Sequence, residues 1–281
     1  KNYFKHIYYL RTHVKNNRVD LIHAHYSLSG CVAVLAGRKI PVVLSLMGTD
    51  ALGDFVGEKK IKFSSRFFIL LTWLVQPFLK AIISKSSEVE KIVYRKKISY
   101  IIPNGVQLDK FIVAESGFRS GLGLKADVKY VLFLGNPLDK NKNYRLAQEA
   151  VRLLKRSDVE LINVFNLAHE MVIQYLNSVD VFVSCSFSEG SANVIKEAMA
   201  CNCPMVVTKA GDAEWVIGDE PGCFISSFDP AQFARDIALA LDYSNSHRRT
   251  NGRKRISDLG LDSDAVTEKL MQVYRTVLNK K

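Results

Sequence analysis

The sequence predicts an α/β chain made of two Rossmann-like, doubly wound parallel-sheet domains facing a cleft. Three observations carry this. Short apolar, β-branched runs recur nearly from end to end, as fully buried parallel strands do. Helical patterns lie between them, the alternation that places helices on both faces of a sheet. Turn chemistry at Pro103-Asn104-Gly105, followed by a polar and weakly periodic stretch to about Asp127, divides the series in two.

Strands are predicted at 20–25 (DLIHAH), 42–46 (VVLSL), 81–84 (AIIS), 99–102 (SYII), 130–134 (YVLFL), 159–164 (VELINV), 181–185 (VFVSC), 205–208 (MVVT) and 223–225 (CFI). Helices are predicted over 29–37, 59–80, 88–94, 143–155, 168–178, 193–201 and 230–243. The expected division is residues 1–104, a first Rossmann-like domain; 105–127, a linker; and 128–261, a second Rossmann-like domain. A last helix, 262–281, has no strand after it and is free to cross back onto the first domain. The chain starts at Lys1 in what reads as mid-helix, so the first domain is expected to be incomplete at its N-terminus.

Composition narrows the class. Of 281 residues, 48% are hydrophobic and 24% charged, ordinary for a globular protein. The most apolar run, 67–83, is broken by Gln76, Pro77 and Lys80 and is too interrupted to span a membrane. Five cysteines show neither a CxxC pair nor metal-ligand spacing, which suits a reducing, cytoplasmic setting. A net charge of +11 fits an anionic partner. No recognised nucleic-acid motif accompanies it, so nucleic acid is not expected. The charge falls in clusters, among them Lys59-Lys60, Lys62 and Arg66 beside Phe63, Phe67, Phe68 and Trp73. That face suits peripheral approach to an anionic membrane surface.

The segment SEGSANVIKEAMA (188–200) carries the chemistry. It follows a buried strand and opens a helix. In open α/β sheets, ligands lie beyond strand carboxyl ends, beside helix N-termini whose free N–H groups attract anions. Gly190 permits close backbone approach, and Ser191 or Asn193 can cap or donate. Glu189, just before the helix, and Glu197, within it, can hold hydroxyls on two parts of one ligand. The plainer alternative makes Glu189 a partner of the helix dipole and Glu197 a surface residue.

This segment resembles the E-x7-E signature of the retaining glycosyltransferases of family 4, which have the GT-B fold. The surrounding order follows what members commonly show, EGxxxxxxEAMAxGxPVVxTxxGxxxE, and HAHYSLSG and IIPNGV match further motifs. The resemblance implies transfer of a sugar from a nucleotide diphosphate sugar to a sugar or lipid-linked acceptor, without a metal or other cofactor. It implies that Glu189 meets the donor sugar and Glu197 the ribose, with backbone around Ser191, Ala192, Asn193 and Val194 facing phosphate or sugar. In LGNPLDKNKNY, Lys142 matches the family's phosphate lysine and Lys140 is second choice. After Gly135 the family's usual arginine is absent, since Asn136 and Pro137 follow.

His23 and His25 share one strand face. A metal reading lacks a third ligand of suitable spacing. His25 ends the strand and resembles the family's acceptor-side histidine, which implies a place in the cleft. SLMGTD resembles the family's HGSD with Met47 in the histidine's position, leaving Gly48 and Asp50 as turn or cleft residues. Asn163 to Leu167 is the candidate base-edge loop. Sugar-polymer or glycolipid assembly at the cell surface is the expected setting. The rivals are a GT-B sugar-nucleotide epimerase and a non-catalytic nucleotide-sugar-binding subunit.

Overall fold

β-branched runs, with helices to cover both faces, form two parallel sheets in the computed structural model. It describes residues 3–37, 39–114 and 118–279. Residues 1–2, 38 and 280–281, and positions 115–117 of the expected linker, lie outside the described residues. The first half provides β1 (Ile22–His25), β2 (Val42–Leu46), a hairpin of β3 (Phe55–Gly57) and β4 (Lys60–Ile61), then β5 (Ala81–Ser84) and β6 (Ser99–Ile101). All but the hairpin pair in parallel, in the order β1-β2-β5-β6. The second half provides β7 (Lys129–Leu134), β8 (Val159–Val164), β9 (Val181–Ser184), β10 (Met205–Thr208) and β11 (Cys223–Ser226), in the parallel order β11-β10-β9-β7-β8.

That second order contains a switch point. From β7 the chain crosses to β8 on one side, and β9 then returns on the other. The connections therefore diverge outside the carboxyl ends of β7 and β9, opening a crevice there. The loops from Gly135 and from Cys185 leave those two ends.

Period-two alternation sorts each sheet into two cores. Leu132, Phe182 and Met205 pack with Ile195, Met199 and Ile256 on one face of the second sheet. Val131, Phe133, Val183 and Val206 pack with Phe233, Ile237 and Leu241 on the other. In the first sheet Leu44 and Ile82 join one layer. Val43, Ala81 and Ile83 face Val273 and Val277 of the C-terminal helix, Ser263–Asn279. That helix thus completes the core of the first domain. Each of its two buried valines contributes roughly 1.5–3 kcal/mol by leaving water. Its Tyr274 hydroxyl lies 2.6 Å from His23 Nδ1, and Ser45 Oγ lies 2.8 Å from His23 Nε2. Burial first, then the charges of His25 and Lys85, bring the His23 pKa down to about 4, so the ring is neutral at pH 7. The sign follows: any stability it lends is present above the ordinary histidine pKa and is lost as pH falls through 4.

The two halves are fastened at the chain between them. Arg253 donates to the carbonyls of Leu108, Phe111 and Ala200, and Val106 bridges to Asp262. Cys185, Cys201, Cys203 and Cys223 are buried free thiols, and burial raises all four pKa values, that of Cys203 to about 11. They act as small core hydrophobes.

Two expected helices are corrected, the one over 88–94 being a single turn, Ser87–Glu90. Residues 59–80 do not form a single helix: Lys60–Ile61 is a strand, and the helix runs Arg66–Val75. The Lys62 amide bonds the Asp54 carbonyl, closing the β3–β4 hairpin, and Pro77 ends the helix in a 3-10 turn. A helix at Gly252–Asp258, absent from the expected list, packs Ile256 into the second core.

Candidate functional site

The site is built on the carboxyl ends of β7 and β9. Beyond β7, Asp139 accepts from the Asn141 amide and sets a 3-10 turn over Lys140–Lys142. Asn141 then ties this turn to the neighbouring loop. Its Nδ2 donates to the Ser188 carbonyl at 2.8 Å, its Oδ1 accepts from the Ser188 amide at 3.1 Å, and its carbonyl accepts from the Phe187 amide at 2.9 Å. The two loops therefore move as one, and Lys142 Nζ meets Glu189 Oε1 at 2.6 Å. Both side chains are partly exposed, so the pair stays open to exchange with a ligand.

Helix Asn193–Ala200 begins beside this pair. Its N-cap is Ala192, which has no side-chain acceptor, so no side chain caps the first turn. Those N–H groups and the helix dipole are left for an anion. Ser191 does not cap the helix either. Its hydroxyl donates to Asp212 Oδ2 at 2.7 Å and accepts from Lys196 Nζ at 2.7 Å and from the Asn104 amide at 3.0 Å. Lys196 also bonds Asp212 Oδ2 at 2.8 Å, and it is fully buried. Burial pushes its pKa down, while Asp212 draws it back up.

Gly190 marks where the two halves touch. A Cβ there would stand 2.4 Å from the Met47 carbonyl oxygen and 3.2 Å from the Gly48 amide nitrogen. Gly48, at φ +118°, presents its own Cα to Gly190 with equally little room. Backbone meets backbone across the cleft. Beside this contact lies a cavity of about 570 Å³ lined from both halves, by Tyr26, Thr49 and Phe68 and by Asn136, Asp139 and Lys140.

Among the remaining expected residues, Glu197 lies within the helix, 9% exposed, and burial raises its pKa against the nearby charges of His169 and Lys196. Asn193 and Val194 form the first turn, and Gly135 opens the loop after β7. His25 is exposed at the end of β1, with its ring 4.4 Å from that of His23. Burial and the charge of Lys85 lower its pKa. One expectation is corrected. Asp50 is fully buried, with its carboxylate accepting from the amides of Ser27, Met47 and Gly48, so it shapes the loop and does not line the cleft. In the loop 163–167, the Asn163 side-chain amide donates to the Gly135 carbonyl at 3.0 Å. Lys196, Asp212, Asn104 and Asn141 went unnoticed as parts of the site. An isolated helical lysine ordinarily reads as exposed, and only the pairing reveals otherwise. Among the described residues, no cluster of His, Cys, Asp or Glu is placed to hold a metal ion.

Comparison with known proteins agrees with this layout. The family model "Glycosyltransferase Family 4" matches residues 1–110, and "Glycosyl transferases group 1" matches residues 162–242, the span that holds both glutamates. The chain belongs to the family 4, group 1 glycosyltransferases. It is 26% identical, over 228 residues, to a Bacillus subtilis protein described as a teichuronic acid biosynthesis glycosyltransferase, covering 71% of this chain and 55% of that one. It is 25% identical to D-inositol 3-phosphate glycosyltransferase 2 of Catenulispora acidiphila, over 79% of this chain and 62% of that one. The chain thus spans little more than half the length of these relatives. Its fold is GT-B. Sucrose-phosphate synthase of Thermosynechococcus elongatus superposes with a TM-score of 0.85 at 19% identity, covering 100% of this chain and 80% of that one. Anabaena HepE, solved with UDP and glucose, gives 0.74 at 17% identity, with 96% and 81% covered. The family pattern's glycine before Cys203-Pro204 is Asn202 here, which keeps the left-handed φ of +54° that asparagine tolerates.

Gly190→Ala is expected to force the two halves apart, since the new methyl would meet backbone rather than a yielding side chain. Small-angle scattering should show a larger radius of gyration with an unchanged circular-dichroism spectrum. An unchanged radius would mean that the glycine contact does not set the closure.

Proposed function

We propose that this chain transfers a sugar from a nucleotide diphosphate sugar to an acceptor hydroxyl, with retained anomeric configuration. The observation that carries the reading is the Lys142–Glu189 pair set beside the uncapped N-terminus of helix Asn193–Ala200. In this reading the diphosphate lies against the first-turn amides of the helix. Lys142, assisted by Lys140, neutralises charge that grows as the diphosphate departs. Glu189, released from Lys142 when phosphate takes its place, holds the donor sugar. Glu197 receives the ribose hydroxyls, and His25 orients the sugar or the acceptor from the first domain. Lysine and helix dipole together meet the leaving-group charge, so no metal is needed. The solved relative that holds UDP and glucose supports a nucleotide sugar as the donor class.

The setting proposed is cell-surface polysaccharide or glycolipid assembly, carried out on the cytoplasmic side with a sugar or lipid-linked acceptor. Among the described residues no helix is long and apolar enough to cross a membrane. Helix Arg66–Val75 instead exposes Phe67, Leu70, Trp73 and Leu74, with Phe63 and Phe78 at its two ends. Arg66 lies over the Phe63 ring, and Lys59 and Lys60 are exposed in the preceding hairpin, which supports peripheral docking on an anionic bilayer.

Glu189→Gln should lower the transfer rate by about 100-fold or more, the usual cost of losing a charge-matched group in a preorganised site. The fold should persist and EDTA should leave the wild-type rate unchanged. A variant with full activity would remove Glu189 from the reaction. Turnover of the donor with no glycoside formed would favour epimerase chemistry. Flotation with phosphatidylglycerol vesicles should carry the protein upward, and the double variant Phe67→Ser, Trp73→Ser should stay behind; equal behaviour of the two would dismiss the membrane face.

A further inference from the structure

The cavity of about 570 Å³ between the two halves borders the proposed donor site and shares only Lys140 with it. Its second-domain wall includes Asn136, Asp139 and Lys140, and Lys142, two residues on in the same turn, holds Glu189. Its first-domain wall draws on the β3–β4 hairpin, whose strand β3 packs against that turn. A ligand in the cavity therefore lies alongside whatever occupies the donor loops.

The lining has the chemistry of a sugar site. Tyr26 and Phe68 stand together on it, ring centroids 5.6 Å apart and planes tilted by 60°. Tyr26 holds a φ of +77°, a left-handed backbone that a bulky residue adopts only when its surroundings impose it. That conformation sets an aromatic ring at the cavity wall directly after β1. Polar groups complete the lining. The Lys62 ammonium bonds the Asp54 carboxylate, and both remain partly exposed. Thr49 and Ser64 add hydroxyls that, among the described residues, no hydrogen bond engages. Aromatic faces beside a carboxylate, an ammonium and free hydroxyls suit a pyranose, which is apolar on its C–H face and ringed by hydroxyls at its edge.

Charge decides which pyranose. The ionised side chains on the lining are Asp54, Asp139, Lys62 and Lys140. With Lys140 turned to the diphosphate, two carboxylates stand against the single ammonium of Lys62, and the diphosphate adds its own negative field. A carboxylate on the incoming sugar meets repulsion there.

Resting on the transferase reading above, we propose that this cavity holds the acceptor's reacting residue as an uncharged pyranose, stacked on Tyr26 and Phe68, and that the β3–β4 hairpin selects against acidic sugars. Assignment to the acceptor follows from position. The donor has its own groups in Lys142 and the uncapped helix turn. Phe67, next to Phe68, lies on the exposed face proposed for the bilayer, so a lipid-linked acceptor keeps its lipid end at the membrane while its sugar enters the cavity.

The test is saturation-transfer difference NMR on wild type, Phe68→Ala and Asp54→Asn, each with and without saturating UDP. The probes are the methyl glycosides of glucose, galactose and N-acetylglucosamine, and those of glucuronate and galacturonate. Wild type should bind at least one neutral glycoside, and both uronates about tenfold or more weakly. Phe68→Ala should weaken the neutral glycoside by about tenfold, and Asp54→Asn should narrow the gap between neutral and acidic probes to about threefold or less. UDP should bind all three proteins alike. Asp54→Asn keeps the bond from the Lys62 amide to the carbonyl of residue 54 that closes the hairpin, so charge selection is testable even where Phe68→Ala fails to fold. The subsite is overturned if wild type binds no neutral glycoside, if a uronate binds as tightly, or if Asp54→Asn leaves the gap intact. It is equally overturned if folded Phe68→Ala keeps full affinity for the glycoside, or loses affinity for UDP, which would place the cavity on the donor. A wild type that ignores UDP yet binds a neutral glycoside through Phe68 would refute the donor reading alone.

Discussion

Lys196 and Asp212 lie 2.8 Å apart with almost no exposure to water, and the site rests on that pair. Two charges withdrawn from solvent persist because each completes the other's hydrogen bonding and because Ser191 is drawn into the same network. Removing either partner would strand a buried charge at a cost of about 3–5 kcal/mol. The consequence for the site is positional. Ser191 is held by three groups, one of them the backbone amide of Asn104 at the chain segment between the halves. Asn104 Nδ2 also donates to the Ser191 carbonyl. Whatever fixes Ser191 fixes Gly190 against Met47 and places Glu189 over Lys142.

The charge balance around the proposed donor site follows from this scaffold. With no arginine after Gly135, the proposed neutralisation of a diphosphate would fall to Lys142, Lys140 and the helix dipole. Lys142 is engaged with Glu189 at rest, and that pair is partly exposed, so its net worth is on the order of 1 kcal/mol or less. A diphosphate bound at the helix can displace the carboxylate at small cost. The resting pair thus keeps both side chains in place without locking them. Asn141 does the complementary work, welding the two loops through three hydrogen bonds so that the exchange occurs within a fixed frame.

The strand–helix alternation made the sheets legible because buried parallel strands must be continuous apolar runs, and β2, β5 and β10 are buried at every residue. The hairpin of β3 and β4 was hidden because Lys59-Lys60 and Ile61 fit a helical period as well as a strand. The helix Gly252–Asp258 was hidden by its charge: Arg253-Lys254-Arg255 reads as solvated, whereas Arg253 and Arg255 spend their guanidiniums on backbone carbonyls. In the site, Glu189, Gly190 and Glu197 stood out because a strand–loop–helix passage is where anions bind. Lys196 did not, since a lysine's burial is a property of the assembled halves and leaves no periodic trace. Asp50 misled for the opposite reason: a carboxylate beside Gly48 looks available until three amides are seen to occupy it.

The claim that the donor lies where the β7 and β9 loops meet the helix is tested most directly by hydrogen exchange with and without a saturating nucleotide sugar, starting from UDP-glucose. Slowed exchange is predicted at the amides of Ser191–Val194 and across the turn at 138–143, with the strands of both sheets unchanged. Protection confined to other segments, such as helix Pro230–His247, with those two loops unaffected, would contradict it.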